Sequence, residues 1–270
     1  MTSDITARLG TLPVFAVLGL GEAGSEIATD LLAAGATVRG FDPRDDRPPP
    51  QGALRCRSEA EAVEGAGVVL SVNSAHDAAT ALRNGITSLA PDALWADLNT
   101  ASPRRKHDLE SIARGEGRTL CDVAMMSPVP GRGVRTPMLV SGPGSEVFAG
   151  VMRPFGTPVE VVEGPPGAAA ERKLLRSVFF KGLAAAVTEA LAAARAAGLE
   201  GWMREHLRAE LDATDASAVD RLERGSIIHA RRRAEEMAAA ADLLDDLNVP
   251  ALVCRASEQW LHLLEDRPVP

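Results

Sequence analysis

The sequence predicts an α/β protein in which a doubly wound parallel sheet is followed by an all-α C-terminal domain. Up to about residue 163, short β-branched segments alternate with Ala-rich amphipathic stretches, the pattern of a parallel sheet covered by helices on both faces. A glycine-rich turn, G-x-G-x-x-G, follows the first apolar segment. Beyond residue 167 the strand pattern stops, and residues 168–265 are helical in pattern.

Seven strands are predicted, at residues 14–18, 37–41, 68–72, 94–97, 119–123, 138–141 and 159–162. The tetrapeptide Gly-Pro-Pro-Gly at 164–167 combines the two strongest turn-forming residues. We therefore predict a first domain at residues 1–165 and a second at residues 166–270.

Composition narrows the class of function. Acidic residues outnumber basic ones, 37 to 29, and the net charge of -8 argues against a nucleic-acid partner. Neither a signal peptide nor a run of about 18 uninterrupted apolar residues is present, which favours a cytoplasmic protein without a membrane partner. The three cysteines are widely spaced and fit no metal or disulfide pattern.

The first predicted strand runs directly into the glycine-rich turn, and apolar residues at helical spacing follow. This order of strand, glycines and helix is typical of a Rossmann dinucleotide-binding domain. One glycine permits the tight turn, the second allows close approach of the pyrophosphate, and the third allows the helix to pack on the strand. The expected cofactor contacts in this turn are Gly19, Leu20, Gly21, Glu22, Ala23 and Gly24.

Asp42, at the end of the second strand, is expected to accept hydrogen bonds from the adenine ribose of the cofactor. A carboxylate there favours NAD, since it would repel the additional phosphate of NADP. Arg44 and Arg47 keep NADP open: either they contact that phosphate, or they are solvated loop residues. Asn73, after the third strand, is a further expected cofactor contact. The chain has no tyrosine, which excludes the short-chain dehydrogenases that use a Tyr and Lys pair.

Four segments, in this order, resemble the β-hydroxyacid dehydrogenase superfamily of 3-hydroxyisobutyrate and 6-phosphogluconate dehydrogenases. They are the glycine turn, D-L-N-T-A-S-P at 97–103, C-D-V-A-M-M-S-P at 121–128, and G-P-P-G at 164–167 leading to a lysine. The subgroup with a C-terminal helical domain of unassigned function is the most similar. The resemblance implies an NAD(P)-dependent oxidoreductase that acts on a small molecule. It also implies a homodimer, because family members intertwine through their long helix.

The resemblance also implies substrate contacts. Asn99 stands where the family has a serine that helps to hold the substrate carboxylate, and Thr100 follows it. The family places two glycines, with free N–H groups, after the next strand, whereas this chain has Met126, Ser127 and Pro128. Because proline has no N–H, a bulkier or less anionic substrate than a simple 3-hydroxy acid becomes plausible.

Lys173 matches the catalytic lysine of the family, and Ser177 stands where the family has asparagine. Together with Lys181 they recur every four residues and share one helical face. A partly desolvated lysine near a second cation has a lowered pKa, as proton transfer near neutral pH requires. The alternative is a solvent-exposed stripe of lysines.

His229, Arg232, Arg233 and Glu236 are predicted to share one helical face. Two interpretations stay open. In the first, His229 and Arg233 line the substrate cleft and hold an anionic group. In the second, the face is solvated and contains internal ion pairs.

The expected reaction is hydride transfer between nicotinamide and a carbon bearing a hydroxyl or carbonyl group of a small, anionic substrate. Lys173 would act as general base in oxidation and general acid in reduction, while Ser177 and Asn99 orient the reacting oxygen. Two alternatives remain. Imine reductases share the architecture but usually replace the lysine, and a non-catalytic NAD(P)-binding sensor would bind the cofactor without turnover.

Overall fold

A computed structural model describes residues 12–268 of the chain. They form two compact units, one that extends to Arg176 and one that starts at Ser177. This division falls inside a long helix and later than the predicted limit at residue 165. The first turns of that helix belong to the first unit because they are hydrogen-bonded to its sheet.

The first unit contains one eight-stranded sheet with the strand order β3-β2-β1-β4-β5-β6-β7-β8. Its strands are β1 (Val14–Leu18), β2 (Thr37–Phe41), β3 (Leu54–Arg55), β4 (Val68–Ser71), β5 (Leu94–Asp97), β6 (Thr119–Met125), β7 (Met138–Ser141) and β8 (Val159–Val161). All seven predicted strands are confirmed, with ends that differ by at most two residues. Strand β3 was missed because its two residues are exposed and carry no apolar pattern.

The sheet is parallel except at one pair, β6 and β7, which run antiparallel. The predicted parallel sheet is confirmed, and this one pair differs from it. The reason for the difference is the connection, which contains only the 3-10 turn Gly133–Arg135 and no crossover helix. A parallel pair needs such a crossover, whereas a return connection produces an antiparallel pair.

Among the described residues, five helices belong wholly to this unit: α1 (Glu22–Ala33), α2 (Glu59–Val63), α3 (Ala78–Gly85), α4 (Pro103–Gly115) and α5 (Ser145–Met152). Successive residues of β1 alternate between two buried clusters. Phe15 and Val17 belong to one cluster, Ala16 and Leu18 to the other. Both faces of the sheet are therefore covered, as expected for a doubly wound fold.

The helices that follow are α6 (Ala168–Ala196), α7 (Glu200–Asp212), α8 (Ala218–Ile228), α9 (Ala230–Asp246) and α10 (Leu252–His262). Helix α6 begins in the first unit, and the predicted all-α character of the C-terminal region is confirmed. Within the second unit, the Glu189 carboxylate of α6 accepts hydrogen bonds from the N–H groups of Val253 and Cys254, at 2.8 and 2.9 Å. These bonds satisfy free N–H groups at the start of α10.

Helix α6 is 29 residues long, and within residues 12–268 it is the one helix that is long and apolar enough to cross a membrane. Its most apolar 18-residue window has a mean hydropathy of 1.4, and only 6% of that window is buried. This helix contains no uninterrupted apolar run of about 18 residues, because polar residues such as Thr188 and Glu189 interrupt it. The helix therefore exposes a long apolar surface.

Candidate active site

The glycine turn between β1 and α1 is closed so tightly that side chains are excluded from two of its positions. Gly19 has a φ of +97°, and a Cβ there would lie 2.7 Å from the backbone nitrogen of Asn73. A Cβ on Gly24 would lie 1.9 Å from the carbonyl oxygen of Gly19. The loop thus brings the start of α1 against the ends of β1 and β4, with Gly21 as the residue that precedes the helix.

Asp42 holds this loop to the end of β2. Its Oδ2 accepts a hydrogen bond from the N–H of Leu20 at 2.7 Å, and its Oδ1 accepts one from the N–H of Arg44 at 3.0 Å. The side chain of Asp42 is only 4% exposed. The carboxylate is thereby fixed where the sequence predicts the ribose contact.

A cavity of about 570 Å³ lies at the carboxyl ends of β1 and β4, where the strand order reverses. This reversal point is where open α/β sheets bind their ligands. Four predicted cofactor residues line it, namely Gly19, Asp42, Arg44 and Asn73, and Arg47 lies among the other lining residues. Leu20, Gly21, Glu22, Ala23 and Gly24 form the adjoining turn and the start of α1.

The two arginines of this loop differ in their contacts. Arg44 is exposed and donates two hydrogen bonds to the carboxylate of Asp46, at 3.1 and 2.9 Å. Arg47 lies over the glycine turn, with Nη1 3.2 Å from where a Cβ of Gly21 would be and 3.8 Å from Asp42 Oδ2. A phosphate near Arg44 would therefore compete with Asp46.

The segment after β5 carries a buried asparagine and an exposed threonine. The amide nitrogen of Asn99 donates to Asp97 Oδ1 at 2.6 Å and lies 2.7 Å from Asn73 Oδ1. That nitrogen is directed into a buried network that reaches the cofactor cavity. Thr100 lies next to it at the surface and faces the start of α6.

A fully buried lysine lies behind this segment. Lys106 of α4 is 0% exposed, and its Nζ lies 2.6 Å from Asp97 Oδ2 and 2.8 Å from Asp122 Oδ1. Burial alone would lower the pKa of Lys106, but the two carboxylates outweigh it and raise the pKa. The ammonium is therefore a permanent charge between two strands.

Asp122 also anchors the start of α6. Its Oδ2 accepts hydrogen bonds from the N–H groups of Gly167 and Ala170, at 2.9 and 3.0 Å. Ser141 of β7 accepts another from Ala169 at 3.0 Å. Free N–H groups in the first turn of the helix are thus satisfied by side chains of the sheet.

One turn further along α6, Lys173 donates a hydrogen bond from Nζ to Thr100 Oγ1 at 2.7 Å. The side chain is half-buried, and this burial is the main cause that lowers the pKa of Lys173 to about 8. The positive charges of Lys106 and Arg176 act in the same direction, and Asp122 opposes them. An amine with this pKa exchanges protons readily near neutral pH.

The remaining predicted site residues lie on the loop after β6 and on α6. Ser127 follows β6, and its hydroxyl lies 3.4 Å from the carbonyl oxygen of the adjacent Pro128. Ser177 and Lys181 follow Lys173 along α6, at the start of the second unit. Their predicted roles stay predictions.

The face predicted around His229 is not a single helical face. His229 lies between α8 and α9 with a φ of -113° and a ψ of 25°, so the helix is broken there. Arg232 pairs with Glu236, and Arg233 donates to Ser226 Oγ at 2.8 Å. The pair of Arg232 and Glu236 is an internal ion pair of the kind that the second interpretation expects, and the roles of His229 and Arg233 stay predictions.

Lys106 and Asp122 were not predicted from the sequence as site residues. A usable signal was present, since Asp122 interrupts an otherwise apolar strand. A carboxylate at such a position requires a cation or hydrogen-bond donors nearby. Its partner Lys106 is distant in sequence and lies on a polar helix, and its burial is evident only from the fold.

Comparisons with known proteins identify both regions of the chain. Residues 14–142 match the family described as the NAD binding domain of 6-phosphogluconate dehydrogenase. Residues 194–264 match a domain of unknown function, DUF1932.

Two curated relatives come from Pseudomonas aeruginosa. The chain is 28% identical to an NAD-dependent L-serine dehydrogenase over 194 residues and 30% identical to a 3-hydroxyisobutyrate dehydrogenase over 195 residues. Each alignment covers 68% of this chain and 65% of the relative, so the chain spans just under two thirds of their length. Among solved structures, an imine reductase from Myxococcus stipitatus in complex with NADP+ has a TM-score of 0.80 at 20% identity. That match covers 93% of both chains and is a likeness of fold.

Proposed function

We propose that the chain, in which an NAD-binding domain of the 6-phosphogluconate dehydrogenase type is joined to a DUF1932 domain, is an oxidoreductase of the β-hydroxyacid dehydrogenase superfamily. In this proposal a bound nicotinamide dinucleotide supplies or accepts the hydride at a carbon that bears a hydroxyl or carbonyl group. Lys173 moves the accompanying proton. The substrate is a small molecule.

The observation that carries the proposal is the position of Lys173. Its amine is hydrogen-bonded to Thr100 at the carboxyl edge of the sheet, which is the edge that carries the glycine turn. A pKa near 8 lets the amine accept a proton during oxidation and return it during reduction. The hydroxyl of Thr100 orients the amine.

The glycine turn and its cavity fit a dinucleotide. Gly19 and Gly24 keep the turn free of side chains, and the free N–H groups at the start of α1 suit a phosphate. Asp42 would accept hydrogen bonds from the ribose. We propose a preference for NAD, because the fixed carboxylate of Asp42 repels a 2'-phosphate and Arg44 is already paired with Asp46.

The loop after β6 bears on the class of substrate. In place of two glycines the chain has Met126, Ser127 and Pro128, and the amide nitrogen of Asn99 is directed into the buried network. Both features reduce the donors available to a small carboxylate. We therefore propose a substrate that is larger or less anionic than a simple 3-hydroxy acid, with Ser127 and Thr100 as its contacts. Ser177, Lys181, His229 and Arg233 are retained as candidate contacts from the second unit.

We further propose that the protein is a cytoplasmic homodimer. Large apolar side chains of α6 are exposed in the single chain, with Leu175 at 66%, Val178 at 75% and Phe179 at 59%. Surfaces of this kind are normally covered in the functional assembly. A second copy that covers α6 would account for them.

The test is a cofactor-linked assay on purified protein. NADH and NADPH oxidation would be followed with a panel of aldehydes, hydroxy- and keto acids, and cyclic imines. Turnover of a carbonyl compound that is lost in Lys173→Met supports the proposal. Tight cofactor binding without any turnover would indicate a sensor instead.

Imine reduction is the second candidate, and the fold likeness to a solved imine reductase favours it. It differs in the reacting group, a C=N bond rather than C=O, and the altered loop at residues 126–128 is compatible with a less anionic substrate. Turnover of cyclic imines that survives Lys173→Met would select this candidate.

A further inference from the structure

We propose that Lys106 is a positioning residue for the proton transfer at Lys173. Its buried ammonium fixes the carboxylate that anchors the Lys173 helix, and it places a permanent positive charge behind the Lys173 amine. This inference rests on the role proposed above for Lys173. It adds a residue that lies in neither the glycine turn nor the segment that follows β5.

Lys106 is isolated from solvent. Its side chain is 1% exposed, and Asp97 and Asp122 are no more exposed than that. Nζ also donates to the backbone carbonyl of Asp97 at 2.9 Å. Three charged groups are buried together here. Such a group is weak evidence for stability, because desolvation offsets the attraction between the charges, so a role beyond stability has to be considered.

The two oxygens of the Asp122 carboxylate have different partners. Oδ1 is paired with Lys106, while Oδ2 accepts the N–H groups of Gly167 and Ala170. Lys106 therefore sets the orientation of the carboxylate that holds the first turn of α6. Lys173 lies one turn further on, so its position depends on that anchor.

The charge of Lys106 also acts on Lys173 electrostatically. The charged groups that shift the pKa of Lys173 include Lys106 from α4, Asp122 from β6 and Arg176 from α6 itself. The two cations lower the pKa of Lys173, and the carboxylate raises it. Lys106 is buried, so mobile ions screen its charge much less than they screen a surface charge. Its effect on the pKa of Lys173 is thus a property of the folded chain that depends little on salt.

The experiment uses the rarity of lysine in this chain, which has lysine only at positions 106, 173 and 181. Protein labelled with ¹³C-lysine gives at most three side-chain signals; Lys181→Arg and Lys106→Met each remove one of them, which leaves the third to Lys173. The ¹³Cε shift of Lys173 is followed against pH in the wild type and in Lys106→Met. The substitution removes a cation and leaves Asp122 uncompensated, so the Lys173 midpoint should rise by about one pH unit. The Lys181 signal should be the same in both proteins.

A second variant, Asp122→Asn, should shift the Lys173 midpoint in the opposite direction. Asp122→Asn keeps an oxygen acceptor for Gly167 and Ala170 but removes the negative charge, so the Lys173 midpoint should fall below that of the wild type. Asp97→Asn is the matched control, because it makes the same change in the same buried group without touching α6. Its effect on Lys173 should be smaller. A purely structural role predicts that every disruptive variant moves the midpoint upward, towards the value of about 10.4 for a free lysine.

Opposite shifts in the two variants support the inference, and wild-type midpoints in both would overturn it. If Lys106→Met does not fold, as judged by circular dichroism, the direction of the shift in Asp122→Asn decides. The titration needs no substrate and is therefore independent of the proposed reaction. Shifted midpoints in a protein that turns over no substrate would refute the proposed function and leave the link between Lys106 and Lys173 intact.

Discussion

The ammonium group of Lys173 lies 2.7 Å from the hydroxyl of Thr100, which joins the first turns of α6 to the segment after β5. This contact lies within the unit that carries the dinucleotide turn. The amine is therefore held at a fixed place at the edge of the sheet, and the predictions about catalysis depend on it.

Replacement of Lys173 by methionine should abolish most of the activity and leave the cofactor bound. We expect kcat to fall by about 10² to 10⁴, the usual contribution of a positioned acid or base. Single-turnover hydride transfer, followed by cofactor absorbance, measures this loss. Calorimetry should show nearly unchanged NAD affinity, since the cofactor cavity is lined by other residues.

Lys181→Met is the matched control for this variant and should lower kcat far less than Lys173→Met does, because Lys181 is not the residue proposed to transfer the proton. Lys173→Arg should not restore the activity that is lost in Lys173→Met, because a guanidinium remains protonated and cannot accept a proton. Lys173→Met should unfold at no lower temperature than the wild type at neutral pH, because the lowered pKa means that the fold disfavours the charged amine. A Lys173→Met enzyme that kept more than about half of the wild-type rate would remove Lys173 from the chemistry.

The pH dependence of kcat/KM should report the lowered pKa of Lys173, about 8. Oxidation needs the neutral amine, so its rate should rise with pH and level off above this value. Reduction needs the ammonium, so its rate should fall over the same interval. Profiles of kcat/KM against pH, measured for oxidation and for reduction, test whether the two slopes are opposite. Two profiles with the same slope between about pH 7 and 9 would contradict a proton transfer by this residue.

Much of the Rossmann domain could be predicted because its signals are local. Strand β1 runs into the glycine turn, and its residues alternate between the two buried clusters, so pattern and fold agree. The antiparallel strand β7 could not be predicted in the same way. Its direction depends on the path of the connection at residues 126–137, which has no helical or strand periodicity.

For the candidate site, too, local features could be predicted from the sequence and contacts between separate elements could not. The glycine turn and Lys173 are recognisable from spacing and from family resemblance. The buried pair of Lys106 and Asp122 is a contact between a helix and a strand that are separate in sequence, and no periodicity encodes it. The break at His229 was missed because the residues around it continue a helical pattern, whereas the chain turns there.

The preference for NAD should weaken when Arg44 is released from its partner. Asp46→Ala removes the carboxylate that accepts two hydrogen bonds from Arg44. The freed guanidinium can then pair with a 2'-phosphate, so the ratio of NADP to NAD affinity should rise by about threefold, as expected for one exposed ion pair. Fluorescence titration with both reduced cofactors gives the ratio.

Asp45→Ala is the control for the Asp46 variant, because it removes an equal charge from the same loop. Its partner is Arg55, at 3.3 Å, rather than Arg44. The two variants should therefore differ in their cofactor ratio. An equal rise in both would mean that net charge alone, and not Arg44, is responsible. Wild-type protein that binds NADP at least tenfold more tightly than NAD would reverse the interpretation of Asp42.

A side chain at Gly21 should block the dinucleotide without unfolding the protein. A Cβ there meets only the guanidinium of Arg47, at 3.2 Å, which is the end of a flexible side chain. Gly21→Val should therefore fold normally but lose NAD binding, because the valine occupies the approach of the pyrophosphate. Gly115→Val, on α4 where a Cβ has no neighbour within 4 Å, serves as the control. Wild-type NAD affinity of Gly21→Val in calorimetry would show that the cofactor binds elsewhere.

The exposed apolar surface of α6 should be covered by a second copy of the chain. The chain has a mass of 28.3 kDa, and light scattering at micromolar concentration without detergent should report about twice that value. Val178→Glu places a charge in this surface and should yield monomers, since burial of an unpaired charge is unfavourable.

Val147→Glu is a matched control, as Val147 is an exposed valine on α5. It should remain a dimer. A wild-type protein that is monomeric in buffer would refute the dimer, and one that stays soluble only with detergent would identify α6 as a membrane-associated helix.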